Sequence, residues 1–484
     1  MVGLGAARSL RGAMRQSAFP HCLSVAAALA LAACGSAAAV HAVPASQAFA
    51  ARLPANAKIA HVVVIVQENR SFDYLFHGFP GADTVDSGYG HGVKYVLQPW
   101  GLQKPMDINH SHVQFLEDYD RGKNDGFDRE LHDFAPNCPY PQNHPSCWVF
   151  YPGKTRARLA YSYAPKSEVA PYWAMAQQYA LADKTFASNN GPSYTAHQYL
   201  VAGQSAHVTE LPVRTPWGCD GPGDNFTYVL KYGTAKPPVF SPSTGIERRG
   251  PAPCFQYASA ADLLDGAGIS WAYYAPQVTN SGGIWSAFDA IWPVRFGPDW
   301  ANDVKSPETL IFNDIQSGTL PQVAWVVPAF VNSDHAGSGS ATGPQWVAAI
   351  VNAIGESSYW DSTAIVIVWD EWGGWYDHVV PPQIKDPRTH AYEGLGHRVP
   401  LIVVSPYAKS GYVSHRRHEI ASTLHFIESI FGLPSLGLAD ARADALGDMF
   451  DFSQQPTPFQ PIPDARKPSD FIRQPPSLFP PDDD

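Results

Sequence analysis

Two acidic residues, Asp370-Glu371, follow the apolar run Ala364 to Trp369 without an intervening polar residue. Side by side at the end of a buried strand they repel each other and lose hydration, which is unfavourable unless a cation compensates them. A hard divalent metal is the natural compensator. Another acid, Glu68, stands where the run His61 to Val66 opens into Gln67-Glu68-Asn69-Arg70-Ser71-Phe72-Asp73. Oxygen ligands from Glu68, Asp370 and Glu371 suit Mg²⁺, Ca²⁺ or Mn²⁺, and Zn²⁺ also accepts carboxylates. The competing reading is structural: Glu68 and Asn69 cap a helix starting near Ser71, and Asp370 caps a tight turn at Gly373-Gly374.

A candidate nucleophile lies in Asn189-Asn190-Gly191-Pro192-Ser193-Tyr194, ahead of the helix-like Thr195 to Ala202. A Ser at a helix start is set among unpaired backbone N–H groups that would welcome a phosphate and stabilise an alkoxide. The ordinary role there is an N-cap. Histidines stand beside acids and turns at His110, His112, His335, His378, His415 and His418, but the chain holds 18 of them, so position alone assigns no role. Zinc-protease spacings, G-x-S-x-G, a Walker loop and a dinucleotide fingerprint are missing.

These residues need a scaffold. The runs Ile59 to Val66, Ile269 to Tyr274, Val323 to Val327, Ala364 to Trp369 and Leu401 to Val404 lack the alternation of a half-wet strand and read as strands buried on both faces. Helical patterns at Pro171 to Tyr179, Gln345 to Gly355 and Glu419 to Phe431 alternate with them. The expected fold is α/β, a mostly parallel central sheet flanked by helices on both faces. Gly, Pro, Asn and aromatic residues fill roughly 84–170 and 212–253, as in long loop insertions that wall a site.

At 484 residues, 45% hydrophobic and 16% charged, the chain has material for a large core. Its net charge of −11 disfavours a nucleic-acid partner, since phosphate backbones attract basic surfaces. Arg8, Arg11 and Arg15 precede the apolar stretch Leu23 to Ala33, the pattern of a secretory signal, with Met14 an alternative start. Leu31-Ala32-Ala33-Cys34-Gly35 is lipobox-like. Two expectations therefore stand: a lipoprotein anchored through Cys34, or a signal cut near Val43 or after Ala50, in either case secreted or periplasmic. Four further cysteines in an exported chain favour disulfides, expected as Cys138–Cys147 and Cys219–Cys254 although three connectivities are possible. The expected division is a signal and linker over 1–50, a catalytic domain over 51–455 and a Pro-rich tail over 456–484.

From about His61 to Phe452 the chain resembles the bacterial phosphoesterase family that contains phospholipases C and acid phosphatases of the acid phosphatase A type. The resemblance is carried by Glu68-Asn69-Arg70-Ser71-Phe72-Asp73, by Asp107-Ile108-Asn109-His110 with Asp125-Gly126-Phe127, and by Gly191-Pro192-Ser193. Asp370-Glu371-Trp372-Gly373-Gly374-Trp375-Tyr376-Asp377-His378-Val379 and Arg398-Val399-Pro400 with Ser405-Pro406-Tyr407 complete it, five blocks in the family's order. The resemblance implies an alkaline-phosphatase-like fold and hydrolysis of a phosphate ester, either a small molecule or a phospholipid, through a phosphoserine at Ser193. It implies one divalent metal ion held by Glu68, Asn69, Asp370 and Glu371. Asn69 can instead be read as a ligand of a phosphate oxygen, and His110, His335 and His378 as contacts to the phosphate or donors to the leaving group.

Two departures stand out: Thr195-Ala196 replaces the family's frequent Pro-Asn, and Trp372 replaces a frequent His or Asn. The family's long phospholipases C carry further carboxyl-terminal β domains, and against them the short tail here leans the expectation toward a phosphatase-like or broad phosphoesterase. The alternative from another class is a surface-anchored binding protein with a hydrolase fold and no turnover. Contact with a membrane surface would come through the substrate or the lipid anchor.

Overall fold

The computed structural model describes residues 58–104, 106–129, 158–230, 247–384 and 394–475. The signal-like segment with Cys34, and the pair Cys138 and Cys147, lie outside the described residues. Nine strands form the main sheet: β1 His61–Gln67, β2 Ala180–Phe186, β3 Trp271–Tyr274, β4 Val304–Lys305, β5 Val323–Val326, β6 Thr363–Trp369, β7 Arg398–Val404, β8 Tyr412–Ser414 and β9 His418–Glu419. The order is β4-β3-β5-β1-β6-β7-β2-β8, with β9 also paired to β2.

All pairings are parallel except those of β7, which runs antiparallel to both β6 and β2. The sheet is therefore mixed but mostly parallel, and β1, β2, β5 and β6 all point the same way. Their carboxyl ends share one edge, the place where open α/β sheets bind ligands.

Val62 to Val66 and every residue of β6 and β7 are buried. Successive strand side chains point to opposite faces, so uninterrupted burial means that both faces are covered. Each fully buried Val or Ile contributes about 1.5–3 kcal/mol, so this centre is a rigid support for the loops at its edge.

The covering elements include α1 Phe72–Phe76, α2 His112–Tyr119, α3 Ala170–Gln178, α4 Ser193–Ala202, α5 Ala260–Ala267, α6 Leu310–Ser317, α7 Gly343–Gly355, α8 Ser422–Phe431 and α9 Pro468–Ile472. Helices α3, α6 and α9 pack on α7, whereas α5 and α8 pack on α4. The central α7 buries Trp346, Val347, Ile350, Val351 and Ile354, a helical spacing that turns one broad face inward.

Long insertions carry small structures of their own. The first contains the hairpin Ser87–Gly90 with Val93–Val96 and helix α2; the second pairs Tyr228–Leu230 with Glu247–Arg249. Cys219 and Cys254 form a disulfide that staples the second insertion. The described part of the tail docks: Phe459 packs on Trp360, Ile462 bonds with Asn352, and Phe471 meets Trp346. Among the described residues no helix is long and apolar enough to cross a membrane.

Candidate active site

At the carboxyl end of β1 the chain turns sharply, and Asn69 takes a left-handed conformation with φ 54°. Such a φ is uncommon outside glycine and is held only where surroundings enforce it. Here the Asn69 N–H donates to Asp370 Oδ1 at 3.0 Å, tying the end of β1 to the end of β6. Gly373 lies against the same backbone: a Cβ there would sit 2.2 Å from the Asn69 carbonyl oxygen, and its φ is +64°. The cap of α1 is Ser71, whose side chain accepts from the Tyr74 N–H, so Glu68 and Asn69 are not spent on capping.

The same holds for the serine. Pro192 occupies the N-cap of α4, and Ser193 is the first helical residue, making no cap hydrogen bond. Its Oγ instead donates to Asn69 Oδ1 at 3.4 Å. The absence of Pro-Asn after Ser193 does not delay the helix, because Thr195 Oγ1 binds the Pro192 carbonyl and the side chain of Asn189 holds Thr195.

Asn69 then links onward. Its Nδ2 donates to His110 Nε2 at 2.9 Å, while His110 Nδ1 donates to the Ile108 carbonyl at 2.8 Å. A carbonyl can only accept, so the proton sits on Nδ1 and Nε2 is the lone-pair nitrogen. Beyond it, Glu371 Oε1 is 3.8 Å from His110 Nε2, and Glu371 Oε2 accepts from the Gly373 N–H at 2.7 Å. His335, carried by the segment after β5, has its ring 5.7 Å from that of His110 and stacks on Trp285. Its Nδ1 accepts from the Gly337 N–H at 3.2 Å and lies 3.6 Å from Asp107 Oδ2.

The residue that sequence reading missed is His197. Its Nε2 lies 2.9 Å from Glu68 Oε1 and 3.8 Å from Asp370 Oδ2. The available signal was helical spacing: Ser193 and His197 stand at i and i+4, which puts both on one face of α4. Glu68, His197 and Asp370 each offer a ligand atom, all within 4.8 Å of one another.

The chemistry of this group fits a cation. Burial, and then Glu68, push the Asp370 carboxyl up to about 7, and burial with Asp370 raises Glu371 well above its ordinary range. Burial lowers His197 to about 4, so it is a neutral imidazole with a lone pair to offer. Asp370 Oδ2, Glu371 Oε1 and His197 Nδ1 are buried without a hydrogen-bond partner. Buried carboxylate oxygens without a protein donor call for a metal or a proton.

His378 is placed differently. Its Nδ1 bonds Asp73 at 2.6 Å and its Nε2 bonds Asp83 at 3.1 Å. Asp73 and Asp377 are in turn held by the buried guanidinium of Arg398, which also donates to the carbonyls of Asp83 and Asp183. These contacts set His378 in an ion network, and none of them is to Ser193, Asn69 or His110. Trp372 is fully buried, donating its indole N–H to Asp118 and packing on Phe115 and His397, so the departure at this position serves the core beneath the turn.

Residues 59–434 match the phosphoesterase family. Hemolytic phospholipase C of Pseudomonas aeruginosa is 25% identical over 458 residues, covering 81% of this chain and 56% of that protein. Phospholipase C B of Mycobacterium tuberculosis is 26% identical over 469 residues, covering 83% of this chain and 80% of that protein. The chain thus spans little more than half the length of the Pseudomonas relative. Among solved structures, a protein in the alkaline phosphatase superfamily from Vibrio parahaemolyticus is similar at a TM-score of 0.36 and 10% identity, covering 79% of this chain and 69% of that one. With its match running through every element that forms the site, the chain belongs to the phosphoesterase family, a class of phosphoric ester hydrolases.

Proposed function

We propose that the chain cleaves phosphoric esters of the phospholipase C type, with Ser193 as nucleophile and one divalent metal ion beside it, on the outer side of the cell membrane. The observation that carries this reading is the contact sequence Ser193 Oγ, Asn69, His110 and Glu371, built from four separate chain segments at one sheet edge. A solvated turn or a set of helix caps would not require it.

Glu68, Asp370 and His197 would hold the metal, with Glu371 and Asn69 adjoining; such an ion neutralises charge and lowers the pKa of a nearby hydroxyl. The chain's own groups do the positioning. Asn69, fixed by Asp370 through its backbone and by His110 through its side chain, aims its Oδ1 at Ser193 and sets the direction of the hydroxyl. Ser193 stands at the amino terminus of α4, whose dipole favours negative charge beside it. As the Ser193 Oγ–P bond forms, the hydroxyl gives up its proton to solvent, the P–O bond to the alcohol breaks, and the leaving oxygen takes a proton. With Nδ1 of His335 accepting from the Gly337 N–H, the ring proton sits on Nε2 and can be donated from there. Water then cleaves the phosphoserine, releasing the phosphorylated product and restoring Ser193.

The choice of a phospholipase C substrate rests on the two named relatives. Secretion, with or without a lipid on Cys34, rests on the amino-terminal pattern. The test is hydrolysis of p-nitrophenyl phosphate and p-nitrophenylphosphorylcholine by the metal-loaded protein, with and without chelator. Chelator-sensitive release, faster from the phosphorylcholine ester, is expected. Preference for the monoester would instead make it a phosphatase, and turnover of neither ester by folded, metal-loaded protein would return the binding-protein alternative.

A further inference from the structure

A cavity of about 280 Å³ lies among the loop after β3, the segment Pro307–Thr309, the turn Ala329–Asn332 and helix α9. It is separate from the group around Ser193, and its lining includes Gln277, Asn280, Glu308, Asn332, Phe471 and Gln474. Glu308 is the unusual member, a carboxylate only 5% exposed. It accepts from its own N–H and that of Ala329, and no cationic side chain among the described residues pairs with it. Burial accordingly pushes its carboxyl up to about 7.

A buried acid facing a cavity without a protein cation invites one from outside. The volume is just below the roughly 300–1,000 Å³ of sites for drug-sized ligands, so the occupant has few heavy atoms. The wall combines one charge, amide side chains and an apolar side at Phe471. A primary ammonium matches it: three N–H donors meet the carboxylate and amide oxygens, and a short alkyl body lies on the apolar wall. A carboxylate alone with neutral amides is a poor donor set for a divalent metal, which takes six or more oxygens or a fixed octahedron.

We propose that this cavity is a binding site for a small primary ammonium ligand, held by the Glu308 carboxylate and the amides of Gln277 and Asn280. The site adjoins the catalytic one through the backbone: the Asn332 carbonyl accepts from Gln67 Nε2, and Gln67 Oε1 accepts from the Asp334 N–H next to His335.

The test is calorimetric titration of the full, metal-loaded chain with ethanolamine, against glycerol as neutral counterpart and KCl at equal ionic strength. One equivalent of ethanolamine should bind saturably, glycerol and K⁺ should not, and Glu308→Gln should weaken binding at least about tenfold, as loss of a charge-assisted hydrogen bond implies. Gln277→Leu leaves the buried charge in place and should weaken binding as well, so it decides the question if Glu308→Gln misfolds. No saturable binding, binding unchanged by both variants, or binding removed by Asp370→Asn but kept by Glu308→Gln would overturn the proposal.

Discussion

Replacing Gly373 by Ala tests whether the Asn69 turn is held in place by close backbone packing. The added methyl would start 2.2 Å from the Asn69 carbonyl oxygen, while ordinary contact begins at 3.4 Å, so one partner must move by 3.4 − 2.2 = 1.2 Å. The left-handed φ of +64° adds a penalty of about 1–2 kcal/mol for a residue with a Cβ. If Asn69 moves, its Oδ1 leaves Ser193, and a misplacement of about 1 Å costs on the order of 10²-fold in rate. Gly78→Ala separates the two effects, because Gly78 also has positive φ, at +73°, but nothing within 4 Å of a Cβ. The assay is ester hydrolysis with thermal melting of both variants. Gly373→Ala should lose about a hundredfold in kcat, and Gly78→Ala should lose only stability. Equal rates in the two variants would refute the argument that packing at Gly373 positions Asn69.

Three further outcomes follow from buried charges. Arg398→Ala leaves Asp73 and Asp377 buried without their cation, and should cost about 3–5 kcal/mol, enough to threaten the fold in a melting experiment. Burial opposes the charged form of His378, but its hydrogen bond to Asp73, with the charges of Asp73 and Asp377, raises its pKa above 6.5. That stabilisation is fully present below the unfolded value and lost as pH rises through the folded one, so His378→Ala should lower Tm more at pH 5 than at pH 9, with kcat within about tenfold of the parent. Asp289, raised to about 7 by burial and then by Asp220, contributes relative stability below the unfolded value of 3.8 that is lost as pH climbs through 7. Melts should therefore rank the parent better against Asp289→Asn at pH 5 than at pH 8.

Much of the scaffold was legible because its central strands are apolar on both faces. β1 and β6 could be read within two residues of their ends for that reason. β2 could not, since Ala180–Phe186 carries Asp183 and Lys184 in mid-strand. Asp183 is tolerated there because His415 and the N–H of Asp83 bind it, partners far away in sequence. The antiparallel run of β7 was equally hidden, as strand direction depends on connections that a local pattern does not encode. At the site, Glu68, Asn69 and Ser193 could be read either as helix caps or as chemistry, and capping at Ser71 and Pro192 removes the cap reading for them. His197 was missed because its one signal, the i and i+4 spacing from Ser193, carries no chemistry until Glu68 and Asp370 are brought beside it. His378 shows the reverse: a residue inside a family block whose contacts are to Asp73 and Asp83.

The most direct test of the account is to mix metal-loaded protein with p-nitrophenylphosphorylcholine, quench in acid during turnover and map the peptides by mass spectrometry. One phosphocholine group on the Ser193 hydroxyl, absent from Ser193→Ala together with turnover, is the predicted result. Turnover that persists in Ser193→Ala, or an adduct on another residue, would contradict it.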